Sequence, residues 1–170
     1  VIGTIHAADP ARVLVTIDKP RSPIAEAYRL LRANIEIAAA ADHPVHTLVV
    51  TSSGPTEGKS VTAANLAVAF AQSGKHVILV DADLRRPSLH KLFQVLNKRG
   101  VTTALLQGGQ GIVSDHLSPT RIENLFLLPS GPLPPNPAEL LGSQRMAEYV
   151  KDLSSQADMV IFDSPPVLAV

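Results

Sequence analysis

The sequence lacks cysteine and tryptophan, and aromatic residues make up only 4% of its 170 residues. The absence of cysteine excludes disulfide frameworks and thiolate chemistry. No charge of one sign is in excess, because 15 lysines and arginines balance 15 aspartates and glutamates. Without a basic field on the chain, we expect no nucleic-acid partner.

Long hydrophobic runs are also absent, and none approaches the roughly 20 residues that a membrane-spanning helix needs. The chain opens on Val1 rather than methionine and stops soon after a strand-like segment. We therefore expect it to be part of a longer protein, truncated at its C-terminus. The composition that remains, 45% hydrophobic and 18% charged, is ordinary for a globular domain.

Four short apolar runs are expected to form one sheet: residues 46–52, 76–83, 124–130 and 158–164. Each is nearly continuous in Val, Ile, Leu or Phe, which is typical of strands covered on both faces. Helices are expected over residues 22–41, between Lys59 and Gly74, over residues 88–97, and from Asn136 onwards, where Asn136 and Glu139 suit a capping box. Residues 129–137 are too rich in proline for regular structure. The alternation of strands and helices predicts an α/β fold, a doubly wound and mainly parallel sheet.

The stretch SSGPTEGKS joins the first predicted strand to the helix that follows it. Amides at a helix N-terminus are unpaired and the helix dipole adds partial positive charge, so such a junction suits a phosphate. Gly54 and Gly58 let the backbone approach an anion closely. The P-loop pattern then assigns Lys59 to the β- and γ-phosphates and Ser60 to Mg²⁺. The pattern asks for glycine where Ser53 stands, and a simple turn into a helix is the alternative interpretation.

Two further predicted strands end in aspartate. Asp81 and Asp83 follow one strand, with Arg85 close behind, and Asp163 follows another. A lone aspartate at such a place is more often a cap or turn residue, but ligands of parallel sheets bind at these strand ends. Mg²⁺ prefers hard oxygen ligands, which points to Ser60 and Asp163. Asp81 or Asp83 is left to accept the proton of an incoming hydroxyl, and Arg85 to pair with a phosphate or an acidic neighbour.

These motifs resemble those of the bacterial tyrosine kinases, P-loop kinases tied to capsule and exopolysaccharide export. TSSGPTEGKS resembles their Walker A motif, VILVDADLR their Walker A′ motif and VIFDSPP their Walker B motif. EAYRLLR is similar to the family's E-x-x-R-x-x-R signature, and LPSGPLPPNPAELLGS resembles a stretch that lies downstream in these proteins. The displaced glycine of the phosphate loop is similar to what this family carries.

The resemblance implies a P-loop NTPase fold of the MinD/ParA-like type, ATP and Mg²⁺ as cofactors, and phosphorylation of protein tyrosines. By position, the catalytic roles go to Lys59, Asp81 and Asp83, with Asp81 as the preferred base. The nucleotide-binding positions are Ser53, Gly54, Pro55, Thr56, Glu57, Gly58, Lys59, Ser60, Val61 and Arg85. The metal-binding positions are Ser60, Asp81 and Asp163.

The resemblance also implies partners. In the family, the E-x-x-R-x-x-R helix meets the active site of a neighbouring subunit in a ring, which places a homo-oligomer interface at Glu26, Arg29 and Arg32. From the residues alone, a solvated helix face with internal ion pairs fits the same spacing. A chain-length-determinant membrane domain, fused or separate, would hold the kinase on the cytoplasmic face of the bacterial inner membrane. Residues 1–21 are then an extended lead-in from that domain, and residues 22–170 an incomplete kinase domain.

The tyrosine-rich tail of these kinases has no counterpart here. Tyr28 and Tyr149 are the only tyrosines, and both fall within predicted helices. Acceptor tyrosines are therefore expected outside this chain, including a C-terminal tyrosine cluster. Two other functions remain open. One is a ParA/MinD-type ATPase, although such proteins carry a signature lysine where this chain has Gly54. The other is a non-catalytic ATP-binding assembly module of a polysaccharide export complex.

Overall fold

The computed structural model describes residues 14–40, 45–106 and 113–168. Its helices are α1 (Val15–Asp18), α2 (Pro23–Ala40), α3 (Lys59–Gln72), α4 (Leu89–Leu92), α5 (Val101–Leu106), α6 (Pro137–Leu141) and α7 (Gln144–Gln156), with a 3₁₀ turn at Val113–His116. Its strands are β1 (Thr47–Val50), β2 (Val77–Asp81), β3 (Ser118–Pro119), β4 (Leu125–Leu128) and β5 (Met159–Asp163).

The strands form one sheet in the order β1-β5-β2-β4-β3. The pairs β1–β5, β5–β2 and β2–β4 are parallel, and only the short β3 runs antiparallel to its neighbour β4. The prediction of a mainly parallel α/β sheet is confirmed. The register places Asp81 of β2 directly beside Asp163 of β5, so the two aspartate-bearing strand ends are adjacent.

Helices cover both faces of this sheet. Because side chains alternate along a strand, Val77 and Leu79 pack on the face covered by α3, while Ile78 and Val80 pack on the face covered by α5 and α7. The central strands β2 and β5 are buried at every position. The edge strand β1 differs, since Val49 remains 65% exposed. The expectation of cover on both faces is therefore not met at Val49 of β1, over which no helix of the described residues lies.

The helix predicted over residues 88–97 is much shorter, and only the single turn α4 forms. Gln94 adopts a left-handed backbone with φ 55°, which is incompatible with a continuing helix. Leu89 is fully buried, but Leu96, inside the predicted helix, is 74% exposed. Asn97 instead turns its side chain toward the loop after β4, where its Oδ1 accepts a hydrogen bond from the Gly131 amide at 2.8 Å.

The helix predicted to begin at Asn136 is two helices. α6 ends at Leu141 and is followed by Gly142. α7 begins after Ser143, whose Oγ accepts a hydrogen bond from the Met146 amide at 3.2 Å. The predicted capping box is wrong in its contacts, because the Asn136 side chain donates to the Glu139 carboxylate rather than capping a backbone amide.

The expectation of an extended lead-in is wrong for residues 14–18. Leu14 and Val15 are 4% and 5% exposed and pack into the core, and Val15–Asp18 is the helix α1. Thr16 donates to the Asn65 side chain of α3 from both its amide, at 3.0 Å, and its hydroxyl, at 2.9 Å. Burial of two apolar side chains and this pair of bonds fix α1 on α3. The remainder of the predicted lead-in, residues 1–13, lies outside the described residues. Within the described ranges, no helix combines the length and hydrophobicity needed to cross a bilayer.

Candidate active site

The phosphate loop connects β1 to α3, where the sequence predicts it. Thr56 and Gly58 have φ values of 63° and 85°, so the chain takes two left-handed steps just before the helix. Gly58 is the N-cap residue of α3, and its carbonyl accepts the Thr62 amide at 2.8 Å. Such turns direct several backbone amides toward one point, as anion-binding loops require.

Lys59 links the three strand ends. Its Nζ lies 2.8 Å from Asp83 Oδ2 and 3.5 Å from Asp163 Oδ1. It also donates to Ser60 Oγ at 3.3 Å. Burial alone would lower the pKa of Lys59, but the hydrogen bond to Asp83 and the charge of Asp163 outweigh burial and raise it. The ammonium is therefore fully charged at neutral pH and lies where a polyphosphate would need it.

Asp83 carries the matching negative charge. Burial by itself raises the pKa of this carboxyl, but the Lys59 ammonium and the Arg86 amide lower it below its usual value overall. Asp83 Oδ1 accepts the Arg86 amide at 3.0 Å, and the Arg85 amide at 3.3 Å. These bonds fix the orientation of an ionised carboxylate at the wall of the site.

Asp163 is completely buried, and neither of its oxygens has a well-formed hydrogen bond within the described part of the chain. Burial raises the pKa of its carboxyl, and the nearby Ser60 hydroxyl and Lys59 ammonium offset only part of that rise. A buried carboxylate whose ammonium partner is as distant as 3.5 Å is incompletely satisfied and needs an explanation. A cation bound next to Ser60 would supply a closer partner.

Asp81, the preferred base from the motif, lies too deep to reach the surface of the cavity. Its Oδ2 accepts the amides of Ser88 at 3.1 Å and Leu89 at 3.0 Å, and it is 0% exposed. Burial raises its pKa to about 7. Asp83, not Asp81, lines the cavity beside the phosphate loop. The geometry thus favours Asp83 over the preferred Asp81 as the carboxylate that can reach a substrate.

Two predicted nucleotide-binding residues bind each other. The Glu57 carboxylate accepts from the Ser53 amide at 3.1 Å and from the Ser53 hydroxyl at 2.9 and 3.0 Å. Hydrogen bonds from the Gly54 backbone and from Ser53 lower the pKa of Glu57. Ser53 and Gly54, the first residues of the phosphate loop, are therefore hydrogen-bonded to a carboxylate of the same loop. Val61 lies in the first turn of α3, and its carbonyl accepts from Asn65 at 2.9 Å.

A cavity of about 550 Å³ opens beside the loop. We call it the active-site cavity. Of the predicted residues, it is lined by Pro55, Thr56, Lys59, Ser60, Asp83 and Arg85. Its other lining residues, which the motifs did not indicate, are Arg86, Ser88, Pro165, Pro166 and Leu168. These residues directly follow the two aspartate-bearing strands. Their position after a strand end is the feature of the sequence that could have predicted them as lining residues.

The segment after β5 is attached to the phosphate loop. The amides of Val167 and Leu168 donate to the carbonyls of Ser52 and Ser53 at 2.9 and 3.1 Å. This pairing makes residues 165–168 one wall of the active-site cavity.

A magnesium ion would not find a complete set of protein ligands here. Among the described residues, no three His, Asp or Glu side chains form a group that could hold a metal. Mg²⁺ commonly uses one or two protein oxygens together with phosphate oxygens and water. Ser60 and Asp163 fit that mode. Of the two Asp81 oxygens, Oδ2 is bonded to two amides, and Oδ1 has no hydrogen-bond partner among the described residues.

The predicted interface residues form ion pairs within their own helix. Arg29 lies 2.8 Å from Glu26, and Arg32 lies 3.5 Å from Glu36. Arg32 thus does not join the Glu26–Arg29 pair, and its side chain is only 23% exposed. The assignment of an interface to these three residues remains a prediction.

A parallel sheet with a lysine-bearing phosphate loop and aspartates on two adjacent strand ends defines a P-loop nucleotide-binding domain. The family model described as "AAA domain" matches residues 48–170. Within this class, the chain belongs to the bacterial tyrosine kinase family, as its motifs predict.

Three known proteins illustrate the relationship. Tyrosine-protein kinase YwqD of Bacillus subtilis is 46% identical over 159 residues, which cover 94% of this chain and 66% of that protein. The kinase domain of Escherichia coli tyrosine kinase ETK aligns with a TM-score of 0.85 at 33% identity, covering 92% of this chain and 60% of that one. The septum site-determining protein MinD of Pyrococcus horikoshii, solved as a complex with Mg-ADP, aligns at 0.59 with 25% identity, covering 71% and 49%. The chain thus spans about two thirds of the Bacillus protein's length, and the expected MinD-like fold is confirmed.

Proposed function

We propose that this chain is the catalytic domain of an ATP- and Mg²⁺-dependent protein tyrosine kinase. The observation that carries the proposal is the position of Lys59, whose ammonium lies between Asp83 and Asp163 at the wall of the active-site cavity. Phosphoryl transfer depends mainly on positioning and on neutralising the charge of the phosphates. A buried, charged lysine at a phosphate loop meets that requirement.

The residues fit the two cofactors. The phosphate loop offers backbone amides and Lys59 to the phosphates, and the unsatisfied Asp163 oxygens beside Ser60 offer a place for Mg²⁺. When bound, the ion would neutralise phosphate charge. The complex of MinD with Mg-ADP supports this choice, since that protein shares the fold.

Asp83 is the side chain best placed to handle the incoming hydroxyl. It is ionised because its pKa is lowered, it faces the cavity, and two amides fix its orientation. In that position it would orient a tyrosine hydroxyl and accept its proton. Asp81, held by the Ser88 and Leu89 amides, would position the backbone that carries Ser88 into the cavity wall.

The acceptor tyrosines lie elsewhere. Tyr28 and Tyr149 are 2% and 5% exposed, and burial raises the pKa of Tyr149 to about 12. Neither can enter an active site while the domain is folded. We propose that the acceptors belong to a tyrosine cluster outside this chain and to other proteins. We further propose a ring-forming homo-oligomer through the α2 helix, and a chain-length-determinant membrane partner at the cytoplasmic face of the inner membrane, acting in capsule or exopolysaccharide export.

Substitutions of Lys59 and Asp83 test the proposal in the full-length protein. Lys59→Met removes a charged contact to phosphate, and we expect ATP affinity to fall by about 30-fold or more. Asp83→Asn should keep nucleotide binding but lower phosphotyrosine formation by about 10²-fold or more. Fluorescent-nucleotide titration and a phosphotyrosine assay with labelled ATP measure the two effects, with Lys75→Met, a lysine outside the active-site cavity, as the control.

Unchanged ATP affinity in Lys59→Met would contradict the site itself. Vigorous ATP hydrolysis without phosphotyrosine in the wild-type protein would favour the ParA/MinD-type ATPase. Retained cellular activity in Asp83→Asn would favour the non-catalytic assembly module.

A further inference from the structure

A second groove, of about 600 Å³, adjoins the active-site cavity. Its lining residues are Arg86, Pro87, Ser88, His90, Lys91, Asn97, Gly131, Pro132 and Leu133. Arg86 and Ser88 line both the groove and the active-site cavity, so the two spaces share part of one wall. We call this second space the basic groove.

The charge of the basic groove has one sign. Arg86 and Lys91 are exposed, and no aspartate or glutamate is among the lining residues. Neither of these two cations forms an ion pair with a residue that the structure describes. His90 also lines the groove. Burial and the neighbouring Lys91 lower the pKa of its imidazole, which disfavours the charged form. Uncompensated cations along a groove attract carboxylates and disfavour basic ligands.

Hydrogen bonds of Asn97 fix the part of the groove wall around Gly131. Asn97 donates to the Gly131 carbonyl at 3.2 Å and to Ser130 Oγ at 3.0 Å, and it accepts the Gly131 amide at 2.8 Å. These bonds hold Gly131 at φ 76°, a left-handed conformation that suits glycine. Leu133, at the end of this wall, is 61% exposed. A groove that is already formed costs little conformational entropy when a ligand binds.

We infer that the basic groove binds acidic residues flanking the target tyrosine of the protein substrate. The inference rests on the proposed kinase function and adds the class of substrate. A tyrosine whose hydroxyl reaches Asp83 must have its flanking residues outside the active-site cavity, and the groove that shares Arg86 and Ser88 lies next to that cavity. Carboxylates in this groove would meet Arg86 and Lys91.

Peptide binding tests this independently of phosphoryl transfer. The probe is a fluorescein-labelled peptide with one tyrosine flanked by glutamates, and its partner is the same peptide with glutamines. Both are titrated by anisotropy into the full-length protein with a non-hydrolysable ATP analogue. We expect the glutamate peptide to bind more tightly, with an advantage that shrinks at high salt.

Lys91→Glu identifies the surface. We expect this variant to weaken the glutamate peptide by about fivefold or more while leaving the glutamine peptide within about twofold. Lys98→Glu reverses an exposed lysine outside the groove and should leave both peptides unchanged. ATP affinity should be the same in all three proteins.

Equal affinity for the two peptides would overturn the inference, and so would equal losses in Lys91→Glu and Lys98→Glu. A loss of ATP affinity in Lys91→Glu would also overturn it, because the groove would then belong to the nucleotide site. Selective binding of the glutamate peptide without any phosphotyrosine would support the groove and contradict the kinase proposal, so the two can fail separately.

Discussion

Asp81 is a carboxyl whose surroundings disfavour its ionised form. It has no exposed surface, and its Oδ1 has no hydrogen-bond partner among the described residues. The adjacent carboxylates of Asp163 and Asp83 add to the rise in pKa that burial causes, against the amides of Leu89 and Ser88 that oppose it. The folded protein therefore binds a proton at Asp81 more tightly than the unfolded chain does.

This difference predicts a pH-dependent stability. Because the pKa of Asp81 is raised from near 4 to about 7, its contribution to folding is fully present below about pH 4 and is lost as pH rises through about 7. Asp81→Asn keeps an oxygen for the two amides but cannot ionise. At about pH 8 we expect it to be more stable than wild type by on the order of 2–4 kcal/mol.

Urea unfolding in metal-free buffer, from about pH 5 to about pH 8, measures this effect. The difference between Asp81→Asn and wild type should grow with pH. Parallel stability curves for the two proteins would show that Asp81 ionises freely in the folded state.

At the residue scale, the sequence predicted which aspartates lie together at this edge of the sheet, but it could not distinguish their environments. Asp81 and Asp83 both follow β2, and local pattern cannot distinguish them. Their separation comes from the Ser88–Leu89 backbone, which returns to Asp81 seven and eight residues later in the chain. Contacts with Lys59, which lies on another element, then select Asp83.

At the scale of elements, the contact between α1 and α3 connects residues upstream of the domain's predicted start to the phosphate loop. Asn65 is 0% exposed, receives two hydrogen bonds from Thr16, and donates to the Val61 carbonyl in the first turn of α3. α3 begins at Lys59. The position of α1 is therefore tied, through one buried side chain, to the helix that carries the candidate catalytic lysine.

Removal of this side chain should destabilise the fold. Asn65→Ala leaves the buried Thr16 amide without its acceptor, and we expect a loss of about 1–3 kcal/mol. A double-mutant cycle with Thr16→Val should show a coupling of at least about 0.5 kcal/mol, because the hydroxyl bond exists only when both residues are present. Denaturant unfolding of the four proteins measures both values. Strict additivity would mean that the Thr16 hydroxyl contributes nothing through Asn65.

Helix prediction succeeded where the pattern was long and failed where tertiary contacts decide. The 18-residue α2 and the 14-residue α3 each span several turns and contain no internal glycine or proline beyond the first turn. α4 ends after one turn because Gln94 is left-handed and Asn97 binds the loop after β4. The two residues of β3 carry no recognisable strand pattern, and their pairing depends on β4.

At the scale of the whole molecule, the outer face of α2 is available for assembly. Glu26 has a side chain that is 71% exposed, while Leu30 and Ile37 are 56% and 70% exposed. Spacings of four and seven residues place these three on one side of the helix. A mostly exposed polar group beside two exposed apolar ones suits an interface better than Arg32 does, whose side chain is only 23% exposed.

Charge reversal at Glu26 tests the assembly. Because Glu26 is mostly exposed and surface ion pairs add at most about 1 kcal/mol, Glu26→Arg should fold normally. We expect association of the full-length protein to weaken by about tenfold, from like-charge repulsion and loss of the pair with Arg29. Light scattering over a dilution series measures it. Glu123→Arg, another exposed glutamate, is the matched control, and equal masses for wild type and Glu26→Arg would place the interface elsewhere.

The sheet class, and the aspartates at two strand ends, could be predicted because parallel strands, crossover helices and strand-end aspartates all leave local signals. The part played by residues 14–18 could not, since four residues of helix have no period. Leu14 and Val15 are buried only because α2 and α3 surround them.

Because Tyr28 and Tyr149 are buried, phosphotyrosine detected at either residue would not come from the folded domain. A phosphate ester brings nearly two negative charges, which the packing around Tyr28 or Tyr149 could not solvate. A phosphotyrosine at either position would thus come from a molecule that was phosphorylated while unfolded, during synthesis or partial unfolding, and that could not refold. Mass spectrometry of these peptides would then report misfolded molecules rather than a signalling event.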